Sequence, residues 1–573
     1  MEEMKPDSKI AFIIRLENNR SFSSLEDLFV HKPEFGLRIS GVDFEFLAWG
    51  DPISDEKFIS GLTSSCNSSF VVNNLYGHYY FLLYNRTDRC LEMGNSLFSI
   101  LPVYYCLRNE SVILSDNVFD LGKYTGKSSV STRFILEALL FNYPLFNSTL
   151  IEGAELLQSG SSVVARAGRF HIIKHTFIEK WFDPDPEAWD RCIEHMADTF
   201  LNSAGKYFPD DHYITALTGG FDGRTLAAAG LSLRRNFSCY CMGTESSADL
   251  ITARLVAEKA GIPFISVLTD GDYVSRYSFE AGKSFIRGSS GTGTFSRAHY
   301  TYGASLLSRE TRLIITGDFG SEIFRAAHRT GVMISPALYQ VFTSANPKVA
   351  AERLRSSPVT RYLNKDLLLT EMGKMVDAIE SLPCFDGRYS GFTLNQQFYI
   401  FVFEEIFRKY FGSEIVNQAA FLANRTPFLD KEFLTGLFRS GLAGFHSSFF
   451  EKNPMKRFKG QVLYAAIIKK AAPELGRLIT NKGYRPDDLL SFTGKLKIIA
   501  GRQRKRVQAR VHSNDPLGVK AAWVQNRGFY ENLEADSQVF DKKLVLMAAG
   551  DDLTHEKARL FSLLYGIHLL KNS

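Results

Sequence analysis

"YITALTGGFDGRTLAAAG", Tyr213 to Gly230, joins a short apolar run to a small-residue helical run through a glycine pair set between a threonine and an aspartate. Two glycines between a strand and a helix let the backbone turn tightly and aim successive N–H groups at one point. The helix that follows adds the positive end of its dipole, so the stretch suits an anion such as phosphate. The candidate phosphate residues are Leu217, Thr218, Gly219, Gly220, Asp222, Gly223 and Arg224. Asp222 is suited to hold a divalent cation, and Arg224 to add a fixed positive charge. Taken alone, the string reads equally well as an ordinary strand-to-helix turn.

The segments around it extend the pattern. "FSCYCM", "DLITARLVAEKA" ending at Gly261, "PFISVL" and "TRLIIT" alternate short apolar runs with helical spacing. That alternation predicts an α/β domain with a parallel sheet, whose ligand crevice lies beyond the carboxyl ends of its strands. Upstream, "KIAFIIRL", "HYYFLLYNR" and "SVILSD" read as strands of a mostly antiparallel sheet domain. "WFDPDPEAWD", Trp181 to Asp190, carries two prolines and an acidic cluster and reads as a linker. The expected domains are residues 1–180, an antiparallel sheet sandwich; 190–500, the nucleotide domain; and 501–573, a helical C-terminal extension.

Composition narrows the function. The 573 residues exceed one ordinary core, and 45% hydrophobic with 23% charged residues is ordinary for a globular chain. A net charge of +5 from 67 basic and 62 acidic residues does not mark a nucleic-acid protein and is compatible with small anionic substrates. Seven scattered cysteines point to a reducing compartment, and Cys239 and Cys241 read as small buried hydrophobes rather than metal ligands. No apolar run approaches the ~20 residues that cross a bilayer. "MEEMKPDSK" lacks a secretory layout, so a cytoplasmic protein without a membrane span is expected.

Several motifs then occur in a fixed order. "LTGGFDGRT" resembles the S-G-G-x-D-S pyrophosphate loop of adenylating enzymes, and "MGTESSADLITARLVAEKAGIPF" resembles the segment after the second strand of the asparagine synthetase family. "ITGDFGSEIFRAAH" is similar to that family's S-G-D/E-G-x-D-E-x-F-G-G loop, and "ANRTPFLDKEFL" to its R-x-P-F-L-D signature. "APELGRLITNKGYRPDD" resembles the segment that brings a lysine to the reacting centre, here Lys482. "LYGHYYFLLYNRTDRCLEMGNSLFSILPVYYCLRNESVILSDNV" has the layout of the family's glutaminase domain. The resemblance covers residues 70–490. It implies a parallel sheet of pyrophosphate-loop, adenine nucleotide alpha hydrolase-like type, with ATP and Mg2+ as cofactors. It also implies adenine held at Cys241, Met242 and Gly243, an acyl-adenylate lined by Thr316, Gly317 and Asp318, and metal on Asp222 and Glu322. Asp318 and Lys482 are the implied catalytic pair.

The sequence also departs from the family. Glu2 stands where a glutaminase needs its nucleophilic cysteine, so the first domain is expected to release no ammonia from glutamine. Gly223 replaces a serine, and Ser321 replaces an aspartate that helps hold magnesium. The expected function is an ATP-dependent amide-forming ligase joining a small-molecule or peptide carboxylate to ammonia or a substrate amine, as in relatives that close a β-lactam or a lasso peptide. The alternative is a non-catalytic nucleotide-binding or scaffold relative. "GSSGTGTFSRAHY", Gly288 to Tyr300, reads as a substrate lid or a plain connection, and His299 and His328 flank the fourth-strand loop. The basic stretch Lys495 to His512 reads as a solvated helix face.

Overall fold

A computed structural model describes residues 8–17, 22–108, 110–183, 186–325, 327, 330–331, 333–453, 456, 459–498, 515–550 and 552–572. Glu2, Pro184 and Asp185 of the linker, His328, and residues 499–512 of the basic stretch lie outside the described residues.

Eleven strands of the described residues form two antiparallel sheets: β1 (Ile13–Glu17), β2 (Phe29–His31), β3 (Phe35–Ser40), β4 (Phe44–Ile53), β5 (Tyr76–Asn85), β6 (Cys90–Asn95), β7 (Tyr104–Arg108), β8 (Ser111–Ser115), β9 (Glu155–Leu156), β10 (Ser161–Arg166) and β11 (Arg169–Lys174). Their orders are β2-β1-β8-β7-β9 and β11-β10-β6-β5-β4-β3. The sheets meet through aromatic rings, with Phe12 at 5.2 Å from Trp49 and 4.9 Å from Tyr80, both edge-on. Strand β5 is buried on both faces along Tyr79–Leu83, because helices cover the outer side of its sheet as well. Its near-continuous apolar run is the sequence mark of that double cover.

The third sheet is parallel throughout. It contains β12 (Tyr213–Ala216), β13 (Phe237–Gly243), β14 (Phe264–Leu268), β15 (Leu313–Ile315) and β16 (Ala423–Arg425), in the order β14-β13-β12-β15-β16. The first connections run outward from β12 to one side and later ones to the other. The order therefore reverses between β12 and β15, and a crevice opens there at the strand ends. The chain is a mix of antiparallel sheets, a parallel sheet and many helices, and no helix of the described residues is long and apolar enough to cross a membrane.

Strand β16 also joins the parallel sheet to the antiparallel ones. Arg425 donates to both oxygens of Asp51 in β4, at 2.7 and 3.0 Å, and to the Tyr207 carbonyl at 3.1 Å. Next to it, Thr426 Oγ1 lies 2.8 Å from His78 Nε2, and burial pushes that imidazole down to about 4, so it stays neutral. Asp430 caps the following helix through the Phe433 N–H at 3.0 Å and pairs with Lys206 at 2.9 Å.

The C-terminal part is built into the body. In the helix His555–Lys571, Ser562 Oγ accepts the Phe295 N–H at 3.0 Å and Arg559 donates to the Gly293 carbonyl at 3.2 Å. Those contacts bury the Gly288–Tyr300 stretch, in which Ser289, Ser290, Thr294, Arg297 and His299 are all buried. The stretch is therefore neither a lid nor a loose connection, because it is buried against that helix. Replacing Asp51 by Ala should leave Arg425 half-buried without its fork partner. The expected cost is on the order of 2–4 kcal/mol, read from chemical denaturation; an unchanged transition would show that this pair does not hold the sheets together.

Candidate active site

The loop after β12 is fixed before any ligand arrives. The Leu217 N–H donates to the Tyr240 carbonyl at 2.8 Å, which ends the β12–β13 ladder. The Gly220 N–H donates to Thr218 Oγ1 at 3.3 Å. The Gly219 N–H donates to Asp249 Oδ1 at 3.0 Å, and the same oxygen accepts Asn481 Nδ2 at 2.7 Å. The Asn481 N–H closes the ring by donating to the Gly219 carbonyl at 3.0 Å. A carboxylate from the second crossover thus sits on the amide that the sequence assigned to pyrophosphate. Neither Asp249 nor Asn481 was among the expected site residues. The Asp is visible in "SSADL", but its target is thirty residues away in the chain and no periodicity links the two.

Gly223 has its own explanation. A Cβ there would lie 2.1 Å from the Ala216 carbonyl and 2.9 Å from Leu217 Cα, so the helix starts closer to β12 than a serine permits. Gly317 is likewise required, since a Cβ would meet Asp222 Cβ at 2.7 Å. The loops after β12 and β15 therefore touch backbone to side chain at the switch point. Between them Phe319 is held at φ 71°, an unfavourable left-handed conformation, by rings of Phe407 and Phe411 at 4.8 and 5.5 Å.

Around that contact the acidic residues gather. Tyr464 Oη donates to Asp222 Oδ1, and Ser321 Oγ donates to Asp222 Oδ2 at 2.8 Å. Arg325 Nη2 donates in turn to Ser321 Oγ. Burial, then the negative charge of Asp222, pushes the Glu322 carboxyl up to about 7. Burial also raises Asp318, whose Oδ2 lies 2.7 Å from Thr316 Oγ1. Thr316 Oγ1 is also 2.9 Å from Asn424 Oδ1, and one hydroxyl proton cannot serve both acceptors. A neutral Asp318 donating to Thr316 Oγ1 lets Thr316 donate to Asn424 and satisfies all three groups.

The remaining expected residues fall in three places. Tyr240 directs its carbonyl to the β12 side, so Met242, two residues on, presents its backbone edge to the same side beyond the end of β12. Cys241 is buried, and the Gly243 carbonyl accepts the Thr269 N–H at 3.1 Å, toward β14. Thr244 next along is bonded to the Pro516 carbonyl at 2.9 Å, which brings the C-terminal part to this edge. Lys482 sets its ammonium 5.6 Å from the Phe221 ring centre, one residue from Asp222. Arg224 turns elsewhere: it is fully buried and donates to the carbonyls of Leu475, Leu478 and Ile479 at 3.2, 2.6 and 3.1 Å. Its charge tethers the segment leading to Asn481 and Lys482 instead of facing phosphate oxygens.

The magnesium implied for Asp222 and Glu322 does not fit this donor set. Both Asp222 oxygens accept hydroxyl protons and a guanidinium stands one hydroxyl away, so a divalent ion there would displace bonds already made and face a fixed positive charge.

No protein-family description matches the chain. The glutamine-hydrolysing asparagine synthetase 1 of Bacillus subtilis (strain 168) is 21% identical over 207 residues, 35% of this chain and 33% of that protein. The resemblance to asparagine synthetase is distant. The match spans about a third of the length of that relative. A solved glutamine phosphoribosylpyrophosphate amidotransferase from B. subtilis, complexed with ADP and GMP, is 11% identical and covers 63% of this chain and 80% of its own, with a TM-score of 0.16. That superposition bears on neither fold nor function.

Two outcomes follow from the geometry. A carboxyl whose folded value exceeds its unfolded 4.5 contributes its full stability below pH 4.5 and loses it as the pH rises to about 7. Glu322→Gln should therefore gain stability relative to the unmodified chain between pH 5 and 8, on the order of 2 kcal/mol in denaturation midpoints; parallel curves for the two proteins would contradict the raised carboxyl. Gly223→Ser, which restores the usual family residue, should destabilise the chain by roughly 1–3 kcal/mol through overpacking. A neutral or stabilising serine would show that the helix start is free to move.

Proposed function

We propose that the chain is an asparagine synthetase-like ligase, which adenylates a carboxylate with ATP and passes the acyl group to ammonia or to an amine carried on the substrate. The observation that supports it is the meeting of the β12 and β15 loops at the switch point, with Asp222, Asp318 and Glu322 drawn together there. In this reading adenine lies along the backbone edge of Cys241, Met242 and Gly243. The substrate carboxylate attacks the α-phosphorus, and pyrophosphate departs onto the N–H groups of Thr218, Gly219 and Gly220 as Asp249 gives way. The amine then attacks the acyl carbon, the bond from that carbon to the phosphate oxygen breaks, and AMP leaves as the amide forms. Asp318 exchanges protons with the incoming amine through its bond to Thr316, and Lys482 stabilises the negative charge that develops. In this reading the amine is ammonia or a group carried on the substrate, no glutamine is consumed, and the reaction belongs in the cytoplasm, where ATP is supplied.

The satisfied Gly219 N–H and Asp222 carboxylate favour a second reading, a relative that binds nucleotide or a partner without turning over. Pyrophosphate exchange into ATP, measured with a broad panel of carboxylates, separates the two. Exchange that falls at least a hundredfold in Asp222→Asn supports the ligase. No exchange, together with an ATP-induced thermal shift, supports the nucleotide binder. Release of glutamate from glutamine by the pure protein would contradict both.

A further inference from the structure

Relative to the family pattern quoted above, Ser321 removes one negative charge and Arg325, where that pattern has a glycine, adds one positive charge. Together the two changes shift the local charge by two positive units, the charge of a magnesium ion. They are also physically joined. Residues 321 and 325 are one helical turn apart, with the Arg325 N–H on the Ser321 carbonyl at 3.1 Å, and the guanidinium returns along that turn to the Ser321 hydroxyl. The hydroxyl passes the contact on to Asp222 Oδ2 at 2.8 Å. Arg325 is fixed from behind, because Tyr399 Oη lies 2.8 Å from its carbonyl and 3.0 Å from that of Glu322, with its single proton shared between them. The neighbouring carboxylate of Asp222 holds the guanidinium above its ordinary range against the opposing effect of burial, so it is always charged.

We propose that Arg325 is the built-in cation of this site: acting through Ser321, its guanidinium supplies beside Asp222 the positive charge that a divalent ion would otherwise bring, and nucleotide binds here without a resident metal. The inference rests on the reading of this crevice as a nucleotide site. A divalent ion and a guanidinium compete for the same carboxylate, and like charges at such separations repel strongly in a half-buried setting. A guanidinium also has five N–H donors in a planar fork, of which the bond to Ser321 uses one, and that fork matches phosphate oxygens. Arg325 is thus a positioning residue for Asp222 and a candidate contact for the phosphates.

Two measurements on the full chain test this. The first is Mn2+ binding by electron paramagnetic resonance without nucleotide. The unmodified protein should hold no Mn2+ at Asp222, and Arg325→Gln, which keeps a polar side chain and removes the charge, should gain one ion. One Mn2+ bound by the unmodified protein and lost in Asp222→Asn would overturn the proposal. The second is ATP affinity by calorimetry in EDTA and in Mg2+. Affinities within about threefold of each other, with Arg325→Gln weaker by about tenfold or more in EDTA and Arg325→Lys partly restored, support it. ATP binding that requires Mg2+ overturns it while leaving the ligase reading intact, and so does an Arg325→Gln protein indistinguishable from the unmodified one in both measurements. No ATP binding under either condition ends the nucleotide reading, and the Mn2+ result then decides the role of Arg325 alone.

Discussion

The carboxylate of Asp222 organises the centre of this molecule. It stands at the start of the helix after β12, against the Cβ-free Gly317 that follows β15, and takes protons from Tyr464 and Ser321. Each of those partners comes from a different part of the chain. One acid therefore pins together two strand-end loops and the helix Lys459–Ala471. A buried or half-buried carboxylate without donors would cost several kcal/mol, so the loops are held as close as the glycines permit.

The same economy of polar groups explains the rest of the crevice. Asp249 satisfies the glycine loop, Asn481 satisfies Asp249, and Arg224 anchors the chain that carries Asn481. The site is preorganised by contacts within the protein, and an anionic ligand must exchange with a carboxylate already in place. Such an exchange favours a ligand of higher charge, because both compete for the same N–H donor in a low-dielectric setting.

Much of this was legible in the sequence, and the parts that were not share a cause. The glycine pair, the four strands β12 to β15 and the capping glycine Gly261 follow from local pattern, since periodicity and turn chemistry act over a few residues. The strand β16 did not, because three residues carry no period, and its role is fixed by Asp51, more than three hundred residues earlier. Arg224 was misread for a related reason. Its charge and its place beside the loop are visible in sequence, but its direction is set by carbonyls near position 478. Arg325 lay one helical turn past Ser321, inside a motif already quoted, yet its meaning depends on a hydroxyl contact that only the fold provides.

The helix His555–Lys571 decides how the molecule can open. It packs against the Gly288–Tyr300 stretch and against helices of the antiparallel-sheet part. One element thus covers apolar surface on both sides of a seam, and its undocking would wet both sides at once. The two parts therefore open at this face as one cooperative unit instead of separately.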